Sequence, residues 1–91
     1  MKYSIRYTTQ FKKSIKKSIK KGLDVSLLWD AVEILTKNGK LPAKYKPHKL
    51  SGNYANCWEC HIKPDWLLIW EQNDDCLTLL FLNTGTHSEL F

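Results

Sequence analysis

The apolar residues of this chain keep one spacing before Pro42 and another after Pro47, and this change restricts the fold more than any other feature. Before the prolines, Phe11, Ile15 and Ile19 recur every four residues, and Leu27, Leu28, Ala31, Val32 and Leu35 continue at a helical period. Beyond them, Tyr54 to Ile62 alternates, Trp66 to Glu71 reads as a strand, and Cys76 to Leu82 reads as a buried strand. Lys2 to Tyr7 also alternates, with Tyr3, Ile5 and Tyr7 on one face, so a strand precedes the helices. Thr8 or Thr9 can cap the first helix and Gly22 end it; Asp24 can cap the second, which Asn38-Gly39 stops. Pro42 and Pro47 mark an irregular connection, and Lys49 to Leu50 begins a strand. Ser51-Gly52-Asn53, Pro64-Asp65 and Asn73-Asp74-Asp75 read as turns. The tail from Thr84 to Phe91 is expected to pack across the sheet edge. The order predicts one α+β domain over residues 1–91: an N-terminal strand, then an antiparallel helical hairpin packed on a mostly antiparallel sheet of four to five strands.

An apolar share of 43% argues against disorder, and no window is long and apolar enough for a membrane span. No apolar stretch follows Met1-Lys2-Tyr3-Ser4-Ile5-Arg6, and Cys57, Cys60 and Cys76 are odd in number, so a cytoplasmic chain with reduced thiols is expected. Cys57-Trp58-Glu59-Cys60-His61 matches the haem-attachment pattern in form. A strand, however, puts Cys57 and Cys60 on opposite faces, which opposes a shared metal or a disulfide. No cofactor and no metal are expected.

The net charge is +5, and Lys12 to Lys21 holds six lysines and no acid. Lys12/Lys16, Lys13/Lys17, Lys16/Lys20 and Lys17/Lys21 are like-charge pairs one turn apart, each costing the helix roughly 0.2–0.5 kcal/mol. A polyanionic partner would relieve that repulsion, and Lys40, Lys44, Lys46 and Lys49 add a second basic stretch beside His48. His48, His61 and His87 each fall at the end of a predicted element, where antiparallel pairing can gather them. Histidine exchanges protons near neutral pH, and Asp65 follows His61 by four residues across a proline turn. Tyr54, Trp58 and Ile62 share a strand face and read as core; Trp66 and Phe91 are the candidates for stacking on bases.

Three motifs occur in order: His48-Lys49-Leu50-Ser51-Gly52, then Glu59-Cys60-His61-Ile62-Lys63-Pro64-Asp65-Trp66-Leu67-Leu68-Ile69, then Gly85-Thr86-His87-Ser88-Glu89-Leu90-Phe91. Over essentially its whole length the chain resembles the YafQ branch of the RelE/ParE toxin superfamily. The resemblance implies an mRNA interferase of a type II toxin–antitoxin pair, cutting mRNA at the ribosomal A site without a metal. It also implies a curved sheet whose concave side is the active surface. The partner would be an acidic antitoxin, with an anionic segment on the lysine helix, the toxin being monomeric when free and hetero-oligomeric when bound. The implied catalytic residues are His48, His61, Asp65 and His87; Trp66, Asn83, Phe91, Lys49 and Lys63 are the RNA contacts. Similar toxins carry an arginine at the place of Asn83, and often another at Trp58. An arginine can clamp the scissile phosphate. Asn83 supplies no charge, which leaves Lys63 or Lys49 to provide it.

These residues suit acid–base cleavage through the ribose 2′-hydroxyl, with His87 as acid and His48 or Asp65 as base. His61 would stabilise the phosphate or hold Asp65, while Trp66 and Phe91 hold the flanking bases. The rival readings are a ParE-like toxin that binds gyrase, and a catalytically weakened toxin that retains antitoxin binding.

Overall fold

Thr8 sets the first helix: its side chain accepts the Phe11 N–H at 3.0 Å, and α1 runs Thr9–Lys20 behind it. Gly22, at φ 83°, closes α1 by donating to the Ile19 carbonyl at 3.0 Å, while Leu23 donates to Ser18 at 3.1 Å. Asp24 then accepts from the Ser26 N–H, and α2 spans Ser26–Asn38. Gly39 ends α2 at φ 71°, where a Cβ would lie 2.5 Å from the Tyr3 hydroxyl oxygen. The other elements are β1 (Ser4–Tyr7), β2 (His48–Lys49) after a 3-10 turn at Ala43–Tyr45, β3 (Cys57–Lys63), β4 (Trp66–Asn73), β5 (Thr78–Gly85) and α3 (His87–Leu90). This computed structural model describes residues 2–52 and 56–91. Asn53 of the expected turn and Tyr54 of the expected strand lie outside the described residues.

The sheet order is β1-β5-β4-β3-β2. β1 runs parallel to β5, with Ser4 opposite Thr78, and the other pairs are antiparallel. The helices cover one face. Phe11, Leu28, Ala31, Val32 and Leu35 pack there against Cys60, Leu68, Trp70, Leu79 and Phe81. Trp58 stacks on Trp70 at 6.2 Å, and Tyr7, Phe11 and Phe81 form an aromatic cluster. No helix among the described residues is long and apolar enough to cross a membrane.

Three local expectations are corrected. Ile19 is 55% exposed, and Ser14 and Ser18 are buried in its place. At 3.6 residues per turn, positions three and seven beyond Phe11 stay nearer its direction than position eight does. Ser18 meets the burial by donating to the Ser14 carbonyl at 2.9 Å. Cys76 is exposed in the turn before β5, its N–H bonded to the Asn73 side chain. The tail does not lie across a sheet edge. It folds as α3, because Thr86 and Glu89 form a capping box that closes a helical turn directly after β5.

Candidate active site

Alternation along β3 places Trp58, Cys60 and Ile62 toward the helices and Glu59 and His61 on the opposite face. Register carries that face to β4, with His48 opposite Glu59 and Glu59 opposite Ile69; the register shifts just beyond Ile69, and its β5 partner Asn83 turns to α1 instead. The next row is His61, Leu67 and Gly85. Because α3 starts right after β5, His87 joins this surface. The imidazoles form a line, with His48 and His61 centred 6.4 Å apart and His61 and His87 6.0 Å apart. The Phe91 ring continues it 6.5 Å beyond His87 and is 58% exposed.

Each ring has an acceptor at its Nδ1. His87 Nδ1 lies 3.2 Å from Asp65 Oδ1, which also accepts the His87 backbone N–H at 3.1 Å. These bonds hold the Asp65 carboxyl below its ordinary range, the backbone bond first. His61 Nδ1 lies 3.2 Å from the Pro64 carbonyl, and His48 Nδ1 lies 3.1 Å from that of Lys46. His48 Nε2 lies 3.3 Å from a carboxylate oxygen of Glu59, whose side chain is only 6% exposed. Glu59 was given no role from sequence. The signal was there, since it precedes His61 by two residues on a strand and so shares its face.

Glu89 ties α3 to α1. Its carboxylate meets Lys17 at 2.6 Å and Lys21 at 2.8 Å and accepts the Thr86 N–H at 2.8 Å. The two ammonium groups, Lys17 first, then the Thr86 N–H, hold it well below the usual carboxylate range. The lysine helix is therefore partly compensated by an acid from the far end of the chain. A cleft of about 360 Å³ opens between α1 and α3, with Lys13, Lys63, Asp65 and Asn83 on its walls. A smaller basic cleft of about 260 Å³ places Lys44, Lys46 and Lys63 around His61.

The structure thus gathers His48, His61, Asp65, His87 and Phe91, with Lys63 at their margin, and moves three other candidates away. Trp66 is 3% exposed, so no ring face is free to stack on a base; its N–H is bound to Thr84 Oγ1 at 2.9 Å. It packs inward because it lies on the core face of β4 with Leu68 and Trp70. Asn83 turns its side-chain carbonyl to Ser14 of α1 and to the Thr84 N–H. Lys49 alternates with His48 in β2, pairs with Trp58, and sets its amine 5.7 Å over that ring, facing away from the histidines. His61 does not hold Asp65; its Nδ1 faces Pro64 and Asp65 is taken by His87. Among the described residues no three His, Cys, Asp or Glu side chains form a metal-holding group.

A family model described as the bacterial toxin of type II toxin-antitoxin system, YafQ, matches residues 3–91. The mRNA interferase toxin YafQ of Escherichia coli strain K12 is 45% identical over 51 residues, 56% of this chain and 53% of that protein. The match thus spans about half the length of that curated relative. The toxin in the E. coli DinJ-YafQ toxin-antitoxin complex is similar over 100% of this chain and 99% of its own, with a TM-score of 0.91 and 36% identity. A metal-bound toxin from Helicobacter pylori is similar over 98% of this chain and 99% of its own, with a TM-score of 0.89 and 38% identity.

Proposed function

Because the chain belongs to the YafQ family of toxins from bacterial type II toxin–antitoxin systems, we propose that it is an endoribonuclease that cuts mRNA by acid–base attack of the ribose 2′-hydroxyl. The observation that carries this reading is the line of three imidazoles on the open face of the sheet, with a carboxylate against each end ring. A base removes the 2′-hydroxyl proton, the oxygen attacks phosphorus, and the 5′-oxygen leaves with a proton from His87. The products are a 2′,3′-cyclic phosphate and a 5′-hydroxyl. Asp65 supports this by holding His87 Nδ1, which turns Nε2 outward; with its oxygen so engaged, Asp65 is a positioning residue and not the base. Each positioned proton carrier contributes about 10²–10⁴-fold. Imidazoles can make both transfers, so the reading requires no metal. Phe91 offers an exposed ring beside His87 for a flanking base, and Lys44, Lys46 and Lys63 offer charge to the backbone.

In this reading the toxin works in the cytoplasm, on mRNA at the ribosomal A site. The partner is an acidic antitoxin, a reading supported by the +5 charge and by the complex of the E. coli relative with DinJ. Lys12, Lys13, Lys16 and Lys20 of α1 have no ion pair among the described residues and can receive its anionic segment. Primer extension on mRNA after induction tests the activity. Wild type should give discrete ends that His87→Ala and a substrate with a 2′-deoxy scissile nucleotide do not. Growth arrest with intact mRNA, unaffected by His87→Ala, would establish the gyrase-binding alternative instead. The Asn83 bond to Ser14 specifically favours a slowed enzyme, and Asn83→Arg should then raise the cleavage rate.

A further inference from the structure

The last helix, α3, is one turn long, and none of its residues is buried. A single turn has too few hydrogen bonds to be stable by itself, and apolar burial does not hold this one. Yet it carries His87, and Phe91 follows directly. Polar contacts on two sides fix it. On the sheet side, Asp65 accepts the His87 N–H at 3.1 Å and meets its Nδ1 at 3.2 Å. On the other side, Glu89 meets Lys17 at 2.6 Å and Lys21 at 2.8 Å.

Glu89 divides its two oxygens between separate tasks. Oε1 accepts the Thr86 N–H at 2.8 Å and so completes the capping box, while Oε2 takes both ammonium groups. Gly85 leaves room for this, since a Cβ there would lie 2.9 Å from Oε1. Lys17 and Lys21 stand one turn apart on α1 and repel each other unless an anion lies between them. The carboxylate that meets them is only 24% exposed, so water screens the pairs less than it would on an open surface.

We propose that Glu89 is a positioning residue: its clasp on Lys17 and Lys21 sets where His87 and Phe91 stand, so that α1 governs an active surface to which it contributes no imidazole. The inference rests on the RNA-cleavage reading and adds a group that acts on the reaction only through α3. A shift of about 1 Å in a reacting group can cost about 100-fold in rate. Exposed ion pairs, by contrast, add little to global stability. Loss of the clasp is therefore large in rate and small in Tm. The two tasks of Glu89 can also be separated. Glutamine serves a capping box as glutamate does, so it keeps an oxygen for the Thr86 N–H and loses only the charge.

Single-turnover cleavage of mRNA on ribosomes by the full chain tests this. Glu89→Gln should cut about tenfold more slowly, at a temperature where circular dichroism shows it as fully folded as wild type. Lys17→Gln with Lys21→Gln should lose as much, and adding Glu89→Gln to that pair should lose no more. A Glu89→Gln protein as fast as wild type overturns the inference. So do losses that multiply when the three changes are combined, because the lysines then act on the RNA by themselves. Amide exchange at pH 7 reads the clasp without RNA. Residues 87–91 should exchange faster in Glu89→Gln while β5 keeps its protection; equal exchange across α3 in the two proteins overturns the inference. If wild type leaves RNA whole, the nuclease reading fails, and the exchange rates still decide whether Glu89 holds α3.

Discussion

Thr84→Val offers a quantitative test of how the wall behind the active surface is held. Thr84 is 3% exposed; its hydroxyl accepts the Trp66 indole N–H at 2.9 Å and donates to the Leu67 carbonyl at 2.6 Å. Valine keeps the shape and removes both bonds. A net hydrogen bond is worth about 1 kcal/mol, and a buried donor left without an acceptor costs about 1–3 kcal/mol. The indole N–H becomes that orphan, so the total is about 2–4 kcal/mol. At roughly 4–8 °C per kcal/mol for a domain of this size, Tm should fall by roughly 10–30 °C. Urea unfolding followed by tryptophan fluorescence and circular dichroism measures it. Thr84→Ser, which keeps the hydroxyl, should recover most of the loss. The stronger test is a double-mutant cycle. In a Trp66→Phe background no N–H remains to be orphaned, so Thr84→Val should cost about 1–2 kcal/mol less. Equal costs in the two backgrounds would refute the reasoning. So would a Trp66→Phe protein that unfolds like wild type but no longer cuts RNA, since that would return Trp66 to the substrate.

Asp65→Asn should slow cleavage roughly 10- to 100-fold, less than the 10⁴-fold seen for a buried triad carboxylate, because this one is exposed; an unchanged rate would deny that it orients His87. Asp65 and Glu89 both have carboxyls held below their ordinary values of 3.8 and 4.5, so their stabilising contacts are complete above about pH 4.5 and are lost as pH falls through the lowered values. Amide exchange across α3 should therefore be flat from pH 7 to 5 once corrected for intrinsic rates, then rise on further acidification; a rise beginning at pH 6 would contradict it. Burial pushes the Cys60 thiol up to about 12 and the Cys57 thiol up as well, whereas Cys76 is exposed. A thiol reagent at pH 7.5 should label Cys76 quickly and all three cysteines only after unfolding; labelling of Cys60 at the rate of Cys76 would show that β3 is not packed as described.

Most of the architecture was readable because each element carries its own period and punctuation. Thr8, Gly22 and Gly39 act within a few residues of themselves, and the helical stripe of α2 points one way along its length. What escaped notice depends on partners far along the chain. The i,i+4 spacing of Phe11, Ile15 and Ile19 suggested an apolar stripe, but Ser14 and Ser18 fill it because their hydroxyls find acceptors nearby and Asn83 comes across from β5. Asp65, His61 and His87 announced a site by residue type. Which of them bond each other is a matter of register and of the α3 turn, which alternation alone does not set. Trp66 was offered as a base contact and lies in the core, because an aromatic beside a charged residue looks the same in sequence whether it faces RNA or core. Glu59 was overlooked for the opposite reason: a glutamate between cysteines reads as the solvent side of a strand, and only the pairing of β2 with β3 reveals its burial.

The parallel pairing of β1 with β5 also governs when this molecule can exist. Residues 4–7 must wait for residues 78–81 before the sheet can close, and contacts so distant along the chain are slow to form. During synthesis the first strand leaves the ribosome while its neighbour is still untranslated. His87 and Phe91 come later still. A nascent chain that has not yet reached residues 78–91 therefore has neither a closed sheet nor the full line of imidazoles, and under the proposed nuclease reading it stays inert until they emerge.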